Sequence, residues 1–112
     1  MSAPELNLQE KYGLYIGGKW KDASDGATFT ATSPANGQHL AVCAQATRED
    51  VDEAVQAAWA AFETWKKTSV NERAAVLNKI ADIIDENAAH LAMVESMDNG
   101  KPIRETTALD IP

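Results

Sequence analysis

The chain has 112 residues, 45% of them hydrophobic and 24% charged, with a formal net charge of −7. That length holds one domain at most, and this balance excludes wholesale disorder. The acidity and the lack of a basic stripe argue against nucleic acid and against electrostatic attachment to membranes, and no charge-free stretch is long enough to span one.

Residues 1–11 show no basic region followed by an apolar run. They read as a flexible leader and not as a secretory signal. Leu14 to Trp20 carries β-formers at both ends of a Gly17-Gly18 step, and a first strand is expected there. Asp22 to Gly26 is turn chemistry. Ala27 to Ser33 alternates and is rich in Thr, which suits a half-buried second strand. Pro34 to Gly37 is a second turn, and His39 to Gln45 reads as a third strand. Two turns so close together predict a small antiparallel β-meander.

The remainder reads as three to four α-helices. Thr47 to Asp50 has capping-box spacing, and Val51, Val55, Ala58, Trp59 and Phe62 then recur on one helical face that should end near Trp65. Ser69 to Glu72 repeats the capping box ahead of Val76, Leu77, Ile80, Ile83 and Ile84. Asn87 is the expected cap of a third helix carrying Leu91, Val94 and Met97. Gly100 suits its C-terminal end and Pro102 the start of another. So many apolar faces beside so small a sheet imply that something else supplies part of the buried surface.

Few residues invite chemistry. Cys43, the single cysteine, lies in an apolar strand, where a free thiol is usually a small hydrophobe; with no disulfide possible, it fits a reducing, cytoplasmic setting. His39 and His90 lack ligand spacing, and Gly13, Gly17 and Gly18 match no phosphate-binding fingerprint. Asp98 is different. A carboxylate near a helix C-terminus opposes the helix dipole, so a partner is expected: Lys101, or a bound cation.

Asp98-Asn99-Gly100-Lys101-Pro102 resembles a recurrent N-terminal motif of the NAD(P)-dependent aldehyde dehydrogenases. Tyr15 to Trp20 resembles the first strand of that family. Ser33 to Gln38 resembles its N-P-x-(T/N)-G-E segment, with Ser33 where Asn is common and Gln38 where Glu is common. Glu49 to Val55 resembles its first helix, and Glu72-Arg73 with Leu77 to Asp82 its second. Thr32-Ser33-Pro34, Arg104-Glu105-Thr106 and Asp110-Ile111-Pro112 look most like the bacterial acetaldehyde dehydrogenase branch.

The resemblance implies an α/β fold of aldehyde dehydrogenase type, with residues 12–112 as the incomplete N-terminal part of its cofactor-binding domain. It implies oxidation of short aliphatic aldehydes to carboxylic acids with NAD or NADP, in a homo-oligomer. The nucleophile, base, oxyanion hole and cofactor glycines would all lie downstream, so this stretch alone should be inactive, with no catalytic or cofactor-binding residue of its own. It also implies a monovalent cation, Na⁺ or K⁺, held by backbone carbonyls of Ala31 and Thr32, by the Asp98 carboxylate and by a third protein ligand that would lie downstream. The alternative is a non-catalytic helical module, or a truncated gene product, that binds a partner through its apolar helix faces.

Overall fold

The computed structural model describes residues 6–112. Small sheets come first and four helices follow, as expected. The strands are β1 (Lys11–Tyr12), β2 (Leu14–Ile16), β3 (Lys19–Lys21), β4 (Thr28–Thr32) and β5 (His39–Ala44).

Their connectivity differs from a single meander. The stretch expected as one strand over Leu14 to Trp20 is a hairpin, with Ile16 opposite Lys19 and Leu14 opposite Lys21. Gly17 and Gly18 take φ of 60° and 79°. Two consecutive positive φ values build the tight turn whose twist matches the strands it joins, and glycine adopts them without a Cβ clash. The other sheet has the order β1-β5-β4. β4 and β5 pair antiparallel around the Pro34–Gly37 turn, whereas β1 lies parallel to β5. The expected leader over 1–11 falls partly outside the described residues. Its last two residues are tied to the sheet: Val42 N donates to Glu10 O at 2.9 Å, and Lys11 belongs to β1.

The helices are α1 (Arg48–Trp65), α2 (Val70–Glu86), α3 (Ala88–Asn99) and the short α4 (Ile103–Glu105). Both expected capping boxes form. Thr47 Oγ1 accepts from Asp50 N at 3.1 Å while Asp50 Oδ2 accepts from Thr47 N at 2.9 Å. Ser69 and Glu72 repeat this at 3.1 and 2.7 Å. Asn87 departs from its expected role. Its side-chain amide donates to Ile83 O at 2.8 Å, so it closes α2 and makes no side-chain cap for α3. Pro102 stands one position before α4, with extended backbone. Thr106–Asp110 continues as a π-helical turn, in which Ile111 N donates to Thr106 O at 3.2 Å.

Among the described residues, the buried hydrophobic ones are three alanines, Ala23, Ala41 and Ala92. Large apolar side chains lie outside. On α2, Val76, Leu77, Ile80, Ile83 and Ile84 are 38–67% exposed, and no residue of that helix is buried. The chain is correspondingly open, 52 × 38 × 18 Å, with a radius of gyration of 17.2 Å. A compact chain of this length would have a radius of about 13 Å. Covering each of the five α2 side chains would contribute roughly 2 kcal/mol. Among the described residues, no helix is long and apolar enough to cross a membrane.

Candidate functional site

The motif Asp98–Pro102 forms the corner where α3 ends. Gly100 terminates the helix in the left-handed region, with φ 82°, and its N–H donates to Ser96 O at 2.9 Å. Asn99 Oδ1 then accepts from Lys101 N at 2.8 Å and turns the chain outward. Two long-range ties hold the corner. The hydroxyls of Ser96 and Thr106 meet at 2.8 Å in a buried site, and Thr106 is fully buried. The Lys101 ammonium donates to both oxygens of Asp110, at 2.9 and 3.0 Å. That hydrogen bond, reinforced by the Asp110 charge, holds the lysine above its ordinary value.

This bears on Asp98. Lys101, one of its two expected partners, is engaged with Asp110, and Asp98 itself is exposed in the last turn of α3. The opposite side of the corner is the end of β4. A Cβ built on Gly100 would lie 3.2 Å from Pro34 Cγ, so the corner rests on the turn that follows Thr32 and Ser33. Ser33 is buried and organises that turn: its N–H donates to Gln38 O and its carbonyl accepts from Gly37 N, both at 2.8 Å. The β4–β5 register shifts between Ala31 and Thr32, because Ala31 faces Ala41 whereas Thr32 faces His39. The ladder is therefore irregular where carbonyls of Ala31 and Thr32 were expected to act as ligands. Ala31, Thr32 and Asp98 thus lie on two segments that meet at one corner. Oxygen donors of this kind, carbonyls with one carboxylate, suit a hard cation.

A second polar knot lies at the start of α1. Asp50 is buried, 1% exposed, and accepts from Thr47 N and from Ser24 N, the latter through both oxygens at 3.2 and 3.0 Å. The Ser24 and Thr47 hydroxyls meet at 2.8 Å. These backbone donors, Thr47 first and Ser24 second, hold the Asp50 carboxyl below its ordinary value although burial opposes them. Sequence reasoning identified the cap and missed the tie to Ser24, which lies 26 residues away.

The remaining candidates are scattered. Cys43 is half-buried at the centre of the sheet, opposite Tyr12 on one side and Phe29 on the other. His39 Nε2 lies 3.3 Å from Glu10 Oε1, and His90 is exposed on α3. Among the described residues, no three His, Cys, Asp or Glu side chains are grouped to hold a metal. The residues present do not fit a dinucleotide. Gly17-Gly18 makes a hairpin turn and no cradle, and the capping boxes of α1 and α2 take up the N–H groups of Thr47 and Asp50 and of Ser69 and Glu72.

The comparisons with known proteins agree with the motifs. The family model described as "Aldehyde dehydrogenase family" matches residues 20–112. The chain is 48% identical over 107 residues to an acetaldehyde dehydrogenase of Pseudomonas aeruginosa, covering 96% of this chain and 21% of that protein. It is 47% identical, with the same coverage, to an EPTC-inducible aldehyde dehydrogenase of Rhodococcus erythropolis. It superposes with TM-score 0.86 and 42% identity on PnpE in complex with nicotinamide adenine dinucleotide, covering 90% of this chain and 21% of that one. The chain therefore spans about a fifth of the length of the relatives it matches. With the motifs, the helix order and the superposition all in agreement, this chain belongs to the aldehyde dehydrogenase family.

Proposed function

We propose that this chain is the N-terminal part of an NAD(P)-dependent enzyme that oxidises short aliphatic aldehydes to carboxylic acids. The observation that carries the reading is the 48% identity to the Pseudomonas acetaldehyde dehydrogenase, spread over nearly all of this chain but only 21% of that protein. In the reaction, aldehyde, NAD⁺ and water give carboxylate, NADH and two protons. The nicotinamide cofactor accepts the hydride when bound, and it belongs to the remainder of the fold.

Within that enzyme, residues 12–112 supply scaffold. The Asp50 knot fixes α1 to the loop after β3, and the Ser96–Thr106 pair fixes the corner at Asp98. We assign that corner, with carbonyls of Ala31 and Thr32 and the carboxylate of Asp98, to a monovalent cation. Support comes from the meeting of the two segments and from the engagement of Lys101 elsewhere. The single free cysteine supports a cytoplasmic setting, and the complete protein is proposed to be a homo-oligomer.

The test is a chimera in which this chain replaces the matching fifth of the Pseudomonas relative. Acetaldehyde-dependent reduction of NAD or NADP by the chimera, and none by the 112-residue chain alone, is the expected result. A folded chimera without activity refutes the reading. For the cation, Na⁺ or K⁺ should raise the melting temperature of the chimera, and Asp98→Ala should abolish the response. Equal responses refute that site.

A further inference from the structure

We propose that Asn36 is a site of self-deamidation, at which the Gly37 nitrogen attacks the side-chain amide and converts the residue to aspartate and isoaspartate. The step needs only water. A bond forms between Gly37 N and Asn36 Cγ as the Cγ–Nδ2 bond breaks, and the Gly37 amide proton leaves with Nδ2 as ammonia. Water then opens the cyclic imide on one side or the other.

Asparagine before glycine suits this closure, because glycine carries no Cβ to obstruct its own nitrogen. The chain holds two such pairs, Asn36-Gly37 and Asn99-Gly100. Both fold in the same sense. Asn36 Oδ1 accepts from Gln38 N at 2.9 Å, and Asn99 Oδ1 accepts from Lys101 N at 2.8 Å. This turn bends the side-chain amide back over the peptide that follows. Its N–H donor meets the oxygen on which negative charge develops during attack.

What separates the two pairs is the cost of freeing the glycine nitrogen. Gly37 N donates to Ser33 O at 2.8 Å, and Gly100 N to Ser96 O at 2.9 Å. At Gly100 that bond closes a twelve-residue helix, and a Cβ built there would press on Pro34. The Asn99 amide is also tied back to Glu95. At Gly37 the bond belongs to an exposed turn, and a Cβ built there would meet nothing within 4 Å. The turn opens without moving a packed neighbour, whereas the end of α3 does not. Reaction at Asn36 also reaches the fold. Isoaspartate lengthens the backbone by one carbon inside the loop that Ser33 closes through its N–H to Gln38 O.

The test is peptide mass mapping of the chimera after incubation in mildly alkaline buffer, in ordinary water and in water enriched in heavy oxygen. The peptide carrying Asn36 should gain one mass unit in ordinary water and take up one heavy oxygen in the enriched water. It should split into two chromatographic peaks, aspartate and isoaspartate. Asn99 should convert at least about tenfold more slowly. Asn36→Gln, whose longer side chain would have to close a six-membered ring, should abolish the change. Retention of the Asn36 amide under conditions where the denatured chimera converts overturns the proposal, as does conversion of Asn99 at an equal or faster rate. Aspartate without isoaspartate overturns it too, because direct hydrolysis then replaces attack by Gly37. Activity does not enter the readout, so the outcome is independent of the function proposed above.

Discussion

The corner at the end of α3 and the long helix before it are built on opposite terms. At the corner, small polar groups are buried and satisfied: Thr106 is fully buried, Ser96 is 9% exposed, and their hydroxyls pair. On α2, large aliphatic side chains are exposed, while its one elaborate polar device, the Ser69 and Glu72 cap, lies at its tip. The corner is complete within this chain and α2 is not. Buried hydrogen bonds specify a geometry without much apolar area, whereas an aliphatic stripe gains free energy only when a partner covers it.

The contrast can be broken most sharply at Thr106. Thr106→Val removes a hydroxyl that pairs with Ser96 and donates to Ile103 O at 3.1 Å. It leaves Ser96 Oγ buried without its partner, at an expected cost of about 1–3 kcal/mol in thermal unfolding. Adding Ser96→Ala should recover part of that loss, because the orphaned hydroxyl is then gone. Gly100→Ala comes next. It places a Cβ at φ 82° and 3.2 Å from Pro34 Cγ, and should cost about 1–2 kcal/mol.

A pH titration sharpens the comparison, because Asp50 is buried and bonded whereas Glu72, the capping carboxylate of α2, accepts from Ser69 N but is exposed. The folded-state Asp50 carboxyl lies below its ordinary value of 3.8. Its contribution to stability is therefore full above that value and is lost as pH falls through the lower folded value. Asp50→Asn should flatten the acid limb of a melting-temperature profile, and an unchanged limb would assign it to other carboxylates. The smallest effect is expected on α2. Ile80→Gln in the 112-residue chain should change stability by no more than about 0.5 kcal/mol, since that side chain touches little that it could lose. A large loss there would mean that α2 packs on something within this chain.

The comparison also explains what could be read in advance. α1 and α2 were legible almost to the residue, because capping boxes and helical periodicity are local signals. The family resemblance rested on contiguous motifs, which are equally local. The hairpin was not legible as such. β-formers flank Gly17-Gly18 on both sides, and only the two positive φ values reveal that the strand turns back. β1 has two residues, too few for any periodicity, and exists because β5 offers it an edge. The partner of Lys101 lay nine residues away, at Asp110, across a π-helical turn that no spacing rule anticipates.

The sequence by itself determined where helices begin, which faces are apolar, and the family to which the motifs point. Each of these depends on residues within a few positions of one another. The tertiary structure alone decided that Asp50 reaches Ser24, that Lys101 pairs with Asp110, and that the turn at Pro34 meets Gly100. It also decided that the apolar face of α2 finds no cover among the described residues. The reason is physical. A cap closes by local geometry, but a contact between distant segments forms only when the whole fold returns more free energy than ordering the chain between them costs.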